Sequence, residues 1–202
     1  MDDNKKFWER TSKLYAPIQE HSNRKLYEAV TKRCGDYLSS DARVLELASG
    51  SGQLTHPLSP RAGSWLATDF SPRMLEQLRR RCGASVETAI ADATALQYRD
   101  SSFDAVLIGI ALHIMPQPEK ALAECFRVLR SGGILLAPTF VYEGRPNRLR
   151  MWLTTKVGLR TYHEWTSADL ADALRQAGFR VVESELLPAD PLPEAFVAAR
   201  KP

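Results

Sequence analysis

Apolar positions in this chain fall into short uninterrupted runs, separated by stretches in which apolar residues recur every three or four positions. The runs 43–48 (RVLELA), 64–69 (SWLATD), 85–89 (SVETA), 103–110 (FDAVLIGI) and 133–141 (GILLAPTFV) have the length of buried strands. Between them, 71–81 has Ser71 as an N-cap, Pro72 at the first helical position and Met74, Leu75 and Leu78 at helical spacing, which predicts a helix. Residues 117–129 repeat the pattern with Ala121, Leu122, Cys125, Val128 and Leu129 facing inward, and Gly132 and Gly133 stop it. Strands alternating with helices specify a mostly parallel sheet covered on both faces, a doubly wound α/β architecture. After a helix at 167–176, Gly178 introduces FRVVESELL, the turn-rich PADPLP and EAFVAARK. These last two strands are joined tightly, so they run antiparallel and bring the expected sheet to seven strands with an antiparallel C-terminal strand. Phe7, Trp8, Leu14, Tyr15, Leu26, Tyr27 and Val30, in a polar background, predict a helical pair against the sheet or over its edge.

Composition narrows this picture without altering it. The 202 residues, 44% hydrophobic and 25% charged, suit one domain. It is expected to comprise a helical lid over 1–40, a core over 41–140, an insertion over 141–165, and a C-terminal helix and β-hairpin over 166–202. The 27 Lys+Arg against 24 Asp+Glu leave a formal charge of +3, which argues against a nucleic-acid partner. The start MDDNKKFWER has no apolar signal core and no segment reaches about 18 apolar residues, so a cytoplasmic protein is expected. Cys34, Cys82 and Cys125 are odd in number and lack CxxC spacing, which predicts reduced thiols with Cys125 in the core.

The chemistry concentrates where the first strand runs into Val44-Leu-Glu-Leu-Ala-Ser-Gly-Ser-Gly52. A glycine loop at the carboxyl end of a strand points backbone N–H groups into the crevice and lets a ligand approach closely. Nineteen residues after Gly50, Asp69 ends the second strand, where a carboxylate accepts both hydrogen bonds of a ribose diol. This spacing points to a nucleoside-containing cofactor. Nicotinamide enzymes share the geometry, but their third glycine would fall at Thr55, and they require neither Glu46 in the first strand nor Asp92 after the third.

In order, VLELASGSG, ATDFSPRML, ADATAL, DSSFDAVLIGIALHIM and ALAECFRVLRSGGILL resemble the class I S-adenosylmethionine-dependent methyltransferases, in the branch with ubiquinone and menaquinone biosynthesis enzymes. The resemblance covers about residues 42–139, with a weaker echo in YHEWTSADLADALRQAGF, and implies a Rossmann-like fold. It implies S-adenosylmethionine as the only cofactor, with no metal. Its aminoacyl end is expected against the loop from Glu46 through Ala48, Ser49 and Gly50 to Gly52, with Glu46 holding loop N–H groups, and its ribose on Asp69. Phe70 and Met74 flank the adenine, whose amino group faces Asp92 beside Ala93, and Ile108 and Gly109 lie under the sulfonium. Ala48 departs from a frequent glycine, and Pro57 is tolerable in the first turn of the following helix.

Methyl transfer needs an in-line, water-excluded arrangement, and orientation supplies on the order of 7–11 kcal/mol. A base is needed only for an acceptor proton of high pKa. His113 in ALHIM is the candidate, and shaping the pocket is its alternative role. Tyr15 resembles a tyrosine that closes over the cofactor in relatives. The stretch 141–163 interleaves Arg145, Arg148, Arg150, Lys156 and Arg160 with apolar residues, as either a packed lid helix or a basic surface on an anionic membrane. The acceptor is accordingly a small molecule, or a phospholipid amine or quinone head group at a membrane. A nicotinamide oxidoreductase and a catalytically silent cofactor-binding protein are the readings from other classes. Nothing in the sequence sets an oligomeric state.

Overall fold

The computed structural model describes residues 23–144, 161–189 and 192–202. Tyr15, Trp8 and the basic stretch 145–160 lie outside the described residues. Among the described residues eight strands make one sheet: β1 Arg43–Leu47, β2 Ser64–Asp69, β3 Glu87–Ile90, β4 Phe103–Ile108, β5 Leu129–Leu136, β6 Thr139–Phe140, β7 Arg180–Leu187 and β8 Glu194–Arg200. Their order is β3-β2-β1-β4-β5-β8-β7, and β6 continues β5 along β8. Strands β1 to β5 pair in parallel, and β8 runs antiparallel to β5, β6 and β7. The expected architecture is therefore observed. The additional strand is the two-residue β6, created where Pro138, which has no N–H, interrupts the fifth strand. The ladder resumes around it through Ala137 N–H to Val197 O at 2.9 Å and Val141 N–H to Pro193 O at 2.9 Å.

Alternation along the strands explains how both faces are filled. On β1, Val44 joins one apolar cluster and Leu45 and Leu47 the other; on β4, Ala105 and Leu107 oppose Val106 and Ile108. Helix α1 (residues 23–35) contributes Leu26 and Val30 to the first face, with Leu54 and Leu58 around α2 (Thr55–Leu58) and Leu78 of α3 (Pro72–Cys82). Helices α4 (Pro118–Val128) and α5 (Ser167–Gln176) cover the second through Ala121, Leu122, Cys125, Leu170 and Leu174. The cysteines form no disulfide, and Cys125 is fully buried.

Local signals hold these helices in place. Ser71 caps α3 by accepting from Met74 N–H, Pro72 occupies its first turn, and Gly83 ends it at φ 70°. Thr166 and Asp169 form a reciprocal capping box on α5. Pro57 is the third residue of α2, inside its first turn. Helix α4 stops at Val128 because Leu129 already pairs with Phe103, and the β4–β5 register then skips to Ala105 opposite Ile134. Arg127 braces the loop after β3: Nη1 donates to Tyr98 O at 2.7 Å, Nη2 to Leu96 O at 2.9 Å, and Nε to Glu124 at 2.8 Å. Arg33 pairs with Glu183 and Glu185, fastening α1 to β7.

The chain reverses its direction of travel across the sheet between β3 and β4, so β1 and β4 are neighbours whose following loops diverge and leave a crevice. Gly52, at φ 84° in the loop after β1, sits where a Cβ would lie 3.0 Å from Leu78 Cγ and 3.3 Å from Cys82 Sγ. A Gly52→Ala protein combines left-handed strain of about 1–2 kcal/mol with overpacking against α3. It is expected to lose about 2 kcal/mol or more of stability, read as a lowered urea midpoint; an unchanged midpoint contradicts this packing.

Candidate cofactor and acceptor site

The crevice is a cleft of about 310 Å³, within the range of about 300–1,000 Å³ common for small-molecule sites. Its floor is the loop after β1, with Glu46, Ala48, Ser49 and Gly50. Asp69, Phe70 and Met74 form one wall at the junction of β2 and α3, Asp92 and Ala93 follow β3, and Gly109 follows β4. Gly52 and Ile108 stand apart from the lining. Gly52 faces α3, and the alternation of β4 turns the fully buried Ile108 side chain into the cluster under α4.

Asp69 is 5% exposed and ties two elements together. Its Oδ2 accepts from Gly50 N–H at 2.9 Å and its Oδ1 from Ser71 N–H at 2.8 Å, so the glycine loop and the start of α3 share one carboxylate. Each oxygen has a second lone pair for a further donor. Burial pushes its pKa up to about 6, against the backbone N–H groups that favour ionisation. Asp92 Oδ1 accepts from the backbone and hydroxyl of Thr94 at 2.8 and 2.7 Å, an Asx turn that fixes its carboxylate.

Glu46 has different partners from those expected. Its Oε2 accepts from Thr55 Oγ1 at 2.6 Å and Trp65 Nε1 at 2.8 Å, side chains of α2 and β2, where loop N–H groups were expected; Asp69 takes the loop N–H. Burial pushes Glu46 up to about 7, and nearby Asp69 adds to the rise.

Two residues other than glycine on the cleft have left-handed backbone, Ala48 at φ 53° and Ile110 at φ 55°. A β-branched residue there is strained and persists only when its surroundings dictate it. Ile110 is held by its N–H to Pro138 O at 2.7 Å. A Cβ at Gly109 would lie 2.5 Å from Leu54 Cδ1, so a larger residue there displaces the Leu54 side chain. The positive φ at Ala48 explains why glycine is a natural residue there. Tyr27 of α1 also lines the cleft, a site residue that helical periodicity presents only as packing.

His113 lies elsewhere. The turn 112–114 puts Ala111 and Ile114 on the cleft, while His113, 6% exposed, packs edge-on against Phe140 with ring centroids 5.6 Å apart. Burial and neighbouring His163 push its pKa down to about 4.

The cleft passes a test for an adenosyl sulfonium ligand. Ser49 Oγ is buried on its floor with no partner, and Glu46, Asp69 and Asp92 line it, while no Lys or Arg does among the described residues. Carboxylates suit a cationic ligand and oppose a pyrophosphate. The four-residue α2 also lacks the long helix that would cradle one.

Residues 45–137 match a family model described as a methyltransferase domain. This stretch is a methyltransferase domain. S-adenosylmethionine is the cofactor that the family and its solved neighbours imply. The chain is similar to a demethylmenaquinone methyltransferase of Clavibacter sepedonicus, 36% identical over 141 residues that cover 69% of this chain and 56% of the relative. It spans about half the length of the curated relatives it matches. Among solved structures it is similar to a possible histamine N-methyltransferase of Thermotoga maritima (TM-score 0.75, 25% identity, 97% of this chain and 99% of that one). The cyclase SpnF is also similar (TM-score 0.71, 22% identity, 86% and 81%), a likeness of fold alone.

The raised pKa of Glu46 has a consequence for stability. Folded chains keep this proton up to about pH 7, whereas unfolded chains release it near the ordinary 4.5, so stability falls as pH rises across that window. Urea midpoints at pH 5.5 and 8 are expected to drop more for the wild type than for Glu46→Gln. Parallel drops contradict a buried, protonatable Glu46.

Proposed function

We propose that this chain transfers a methyl group from S-adenosylmethionine to a small-molecule acceptor of the quinol class. The observation that carries the reading is Asp69, which pins the glycine loop at the carboxyl end of the sheet while its oxygens retain capacity for a ribose diol. The quinol class comes from the names of the curated relatives.

The bound cofactor supplies an activated methyl on a sulfonium, displaced in line with its carbon–sulfur bond. The protein's part is orientation and exclusion of water. Asp69 accepts from both ribose hydroxyls, Phe70 and Met74 hold the adenine ring, and Asp92 with Ala93 takes its amino group. Ala48, Ser49 and Gly50 present small side chains and the unsatisfied Ser49 hydroxyl to the aminoacyl portion. Glu46 braces the floor through Thr55 and Trp65. Gly109 leaves room for the methyl to face the acceptor. Tyr27 of α1 closes one side of the cleft.

His113 shapes the acceptor end. A group held near pKa 4 is neutral at physiological pH and a weak proton acceptor, so its position behind the cleft wall favours hydrogen bonding over proton removal. The membrane-surface alternative depends on 145–160. Among the described residues no helix is long and apolar enough to cross a membrane.

The test is release of S-adenosylhomocysteine with a panel of hydroquinones, phenols, amines and thiols. Release with hydroquinones is expected. An Asp69→Asn protein, losing charge-assisted hydrogen bonds of about 1.5–3 kcal/mol, should show kcat/KM for S-adenosylmethionine lower by about tenfold or more. Since the ionised carboxylate accepts the ribose bonds, the wild-type KM for the cofactor should rise as pH falls through about 6, and the Asn protein should lack this step. No release with any acceptor, or an Asp69→Asn protein as active as wild type, overturns the proposal.

A further inference from the structure

Buried polar atoms without a partner are not scattered evenly over this protein. Apart from Ser49 Oγ in the cleft and Glu185 Oε2, which is ion-paired with Arg33, they are His113 Nδ1, His163 Nε2, Thr139 Oγ1 and both carboxyl oxygens of Glu194. All four residues lie at the end of the sheet where the cleft opens. His113 follows β4, Thr139 follows the end of β5, and Glu194 begins the antiparallel β8. His163 is drawn to the same place by its own N–H and that of Tyr162, which donate to His113 O at 3.1 and 3.0 Å.

Phe140 connects the group. It is the direct cross-strand partner of Glu194, so the two side chains share a face, and its ring meets His113 edge-on. His163 in turn stacks on Trp165 with centroids 4.9 Å apart and planes 31° from parallel. The Phe140 ring thus meets the His113 imidazole and is paired across the strands with Glu194, while His163, held to the His113 carbonyl, carries Trp165 beside it. His113 Nδ1, His163 Nε2 and both Glu194 oxygens have no hydrogen-bond partner among the described residues, although an unsatisfied buried polar group is costly.

Building on the methyltransferase reading, we propose that His113, His163 and Glu194 form the acceptor subsite, which grips the two oxygens of a flat dihydroxy-aromatic ring set against Phe140 and Trp165. A hydroxyl both donates and accepts, and so does a neutral imidazole or a protonated carboxyl. Burial keeps His113 uncharged above about pH 4 and Glu194 protonated up to about pH 8, so these two groups are both neutral near pH 7. A neutral, dry site rejects an ammonium or a carboxylate and admits a hydroquinone.

Anaerobic calorimetry with naphthohydroquinone, in the presence of S-adenosylhomocysteine, tests the subsite by binding alone. The wild type should bind it, and bind its dimethyl ether at least tenfold more weakly. His163→Phe keeps a ring but loses the nitrogens, and Glu194→Leu loses both oxygens. Each should weaken naphthohydroquinone at least tenfold and leave the affinity for S-adenosylhomocysteine alone unchanged. Glu194→Gln, which still donates and accepts, should restore most of the binding. Should Glu194→Leu fail to fold, His163, less buried than Glu194, decides through its own variant. Wild-type affinity for naphthohydroquinone in His163→Phe, equal binding of the ether, or no binding by the wild type overturns the subsite. A wild type that binds the hydroquinone yet releases no S-adenosylhomocysteine with any acceptor fails the methyl-transfer reading instead.

Discussion

The site depends on one carboxylate. Asp69 emerges at the carboxyl end of β2 and accepts from the glycine loop after β1 and from the first turn of α3. Two segments that diverge from neighbouring strands are thus fixed at a common point, and the cleft between them has a defined floor. The bond to Gly50 needs the loop to pass through left-handed backbone at Ala48, Gly50 and Gly52, and Gly52 in turn needs Leu78 and Cys82 close behind it. Sheet, loop and helix are consequently coupled through a buried group whose raised pKa reflects the desolvation it has undergone.

Charge then discriminates among ligands that a Rossmann-like fold could accept. Three acidic side chains line the cleft, of which Glu46 keeps its proton up to about pH 7, and no basic side chain does among the described residues. A dinucleotide would place a pyrophosphate beside a short, proline-broken helix, whereas a sulfonium compound brings positive charge to acidic walls. A cyclase has a similar fold, so the choice of ligand and reaction resides in the cleft and not in the architecture.

Much of this was legible in the sequence, for identifiable physical reasons. Ser71-Pro72 fixed the start of α3, because capping is a local interaction. The strand runs were legible because a parallel sheet buries both faces. That same burial hid which way each side chain points, so Ile108, placed beneath the ligand by motif, turns toward α4. The partners of Glu46 were equally hidden, since Trp65 reaches it across neighbouring strands and no local pattern records that contact. Leu129 reads as the end of a helix by periodicity, yet pairing with Phe103 makes it a strand residue, a tertiary contact overriding local spacing. The left-handed Ile110 has no sequence signature at all; its conformation is dictated by Pro138 across the sheet.

Calorimetric titration of the purified chain with S-adenosylhomocysteine and, separately, with NAD tests the central claim most directly. The account predicts saturable binding of one S-adenosylhomocysteine per chain and no heat from NAD at the same concentrations. Binding of NAD with no binding of S-adenosylhomocysteine would contradict it.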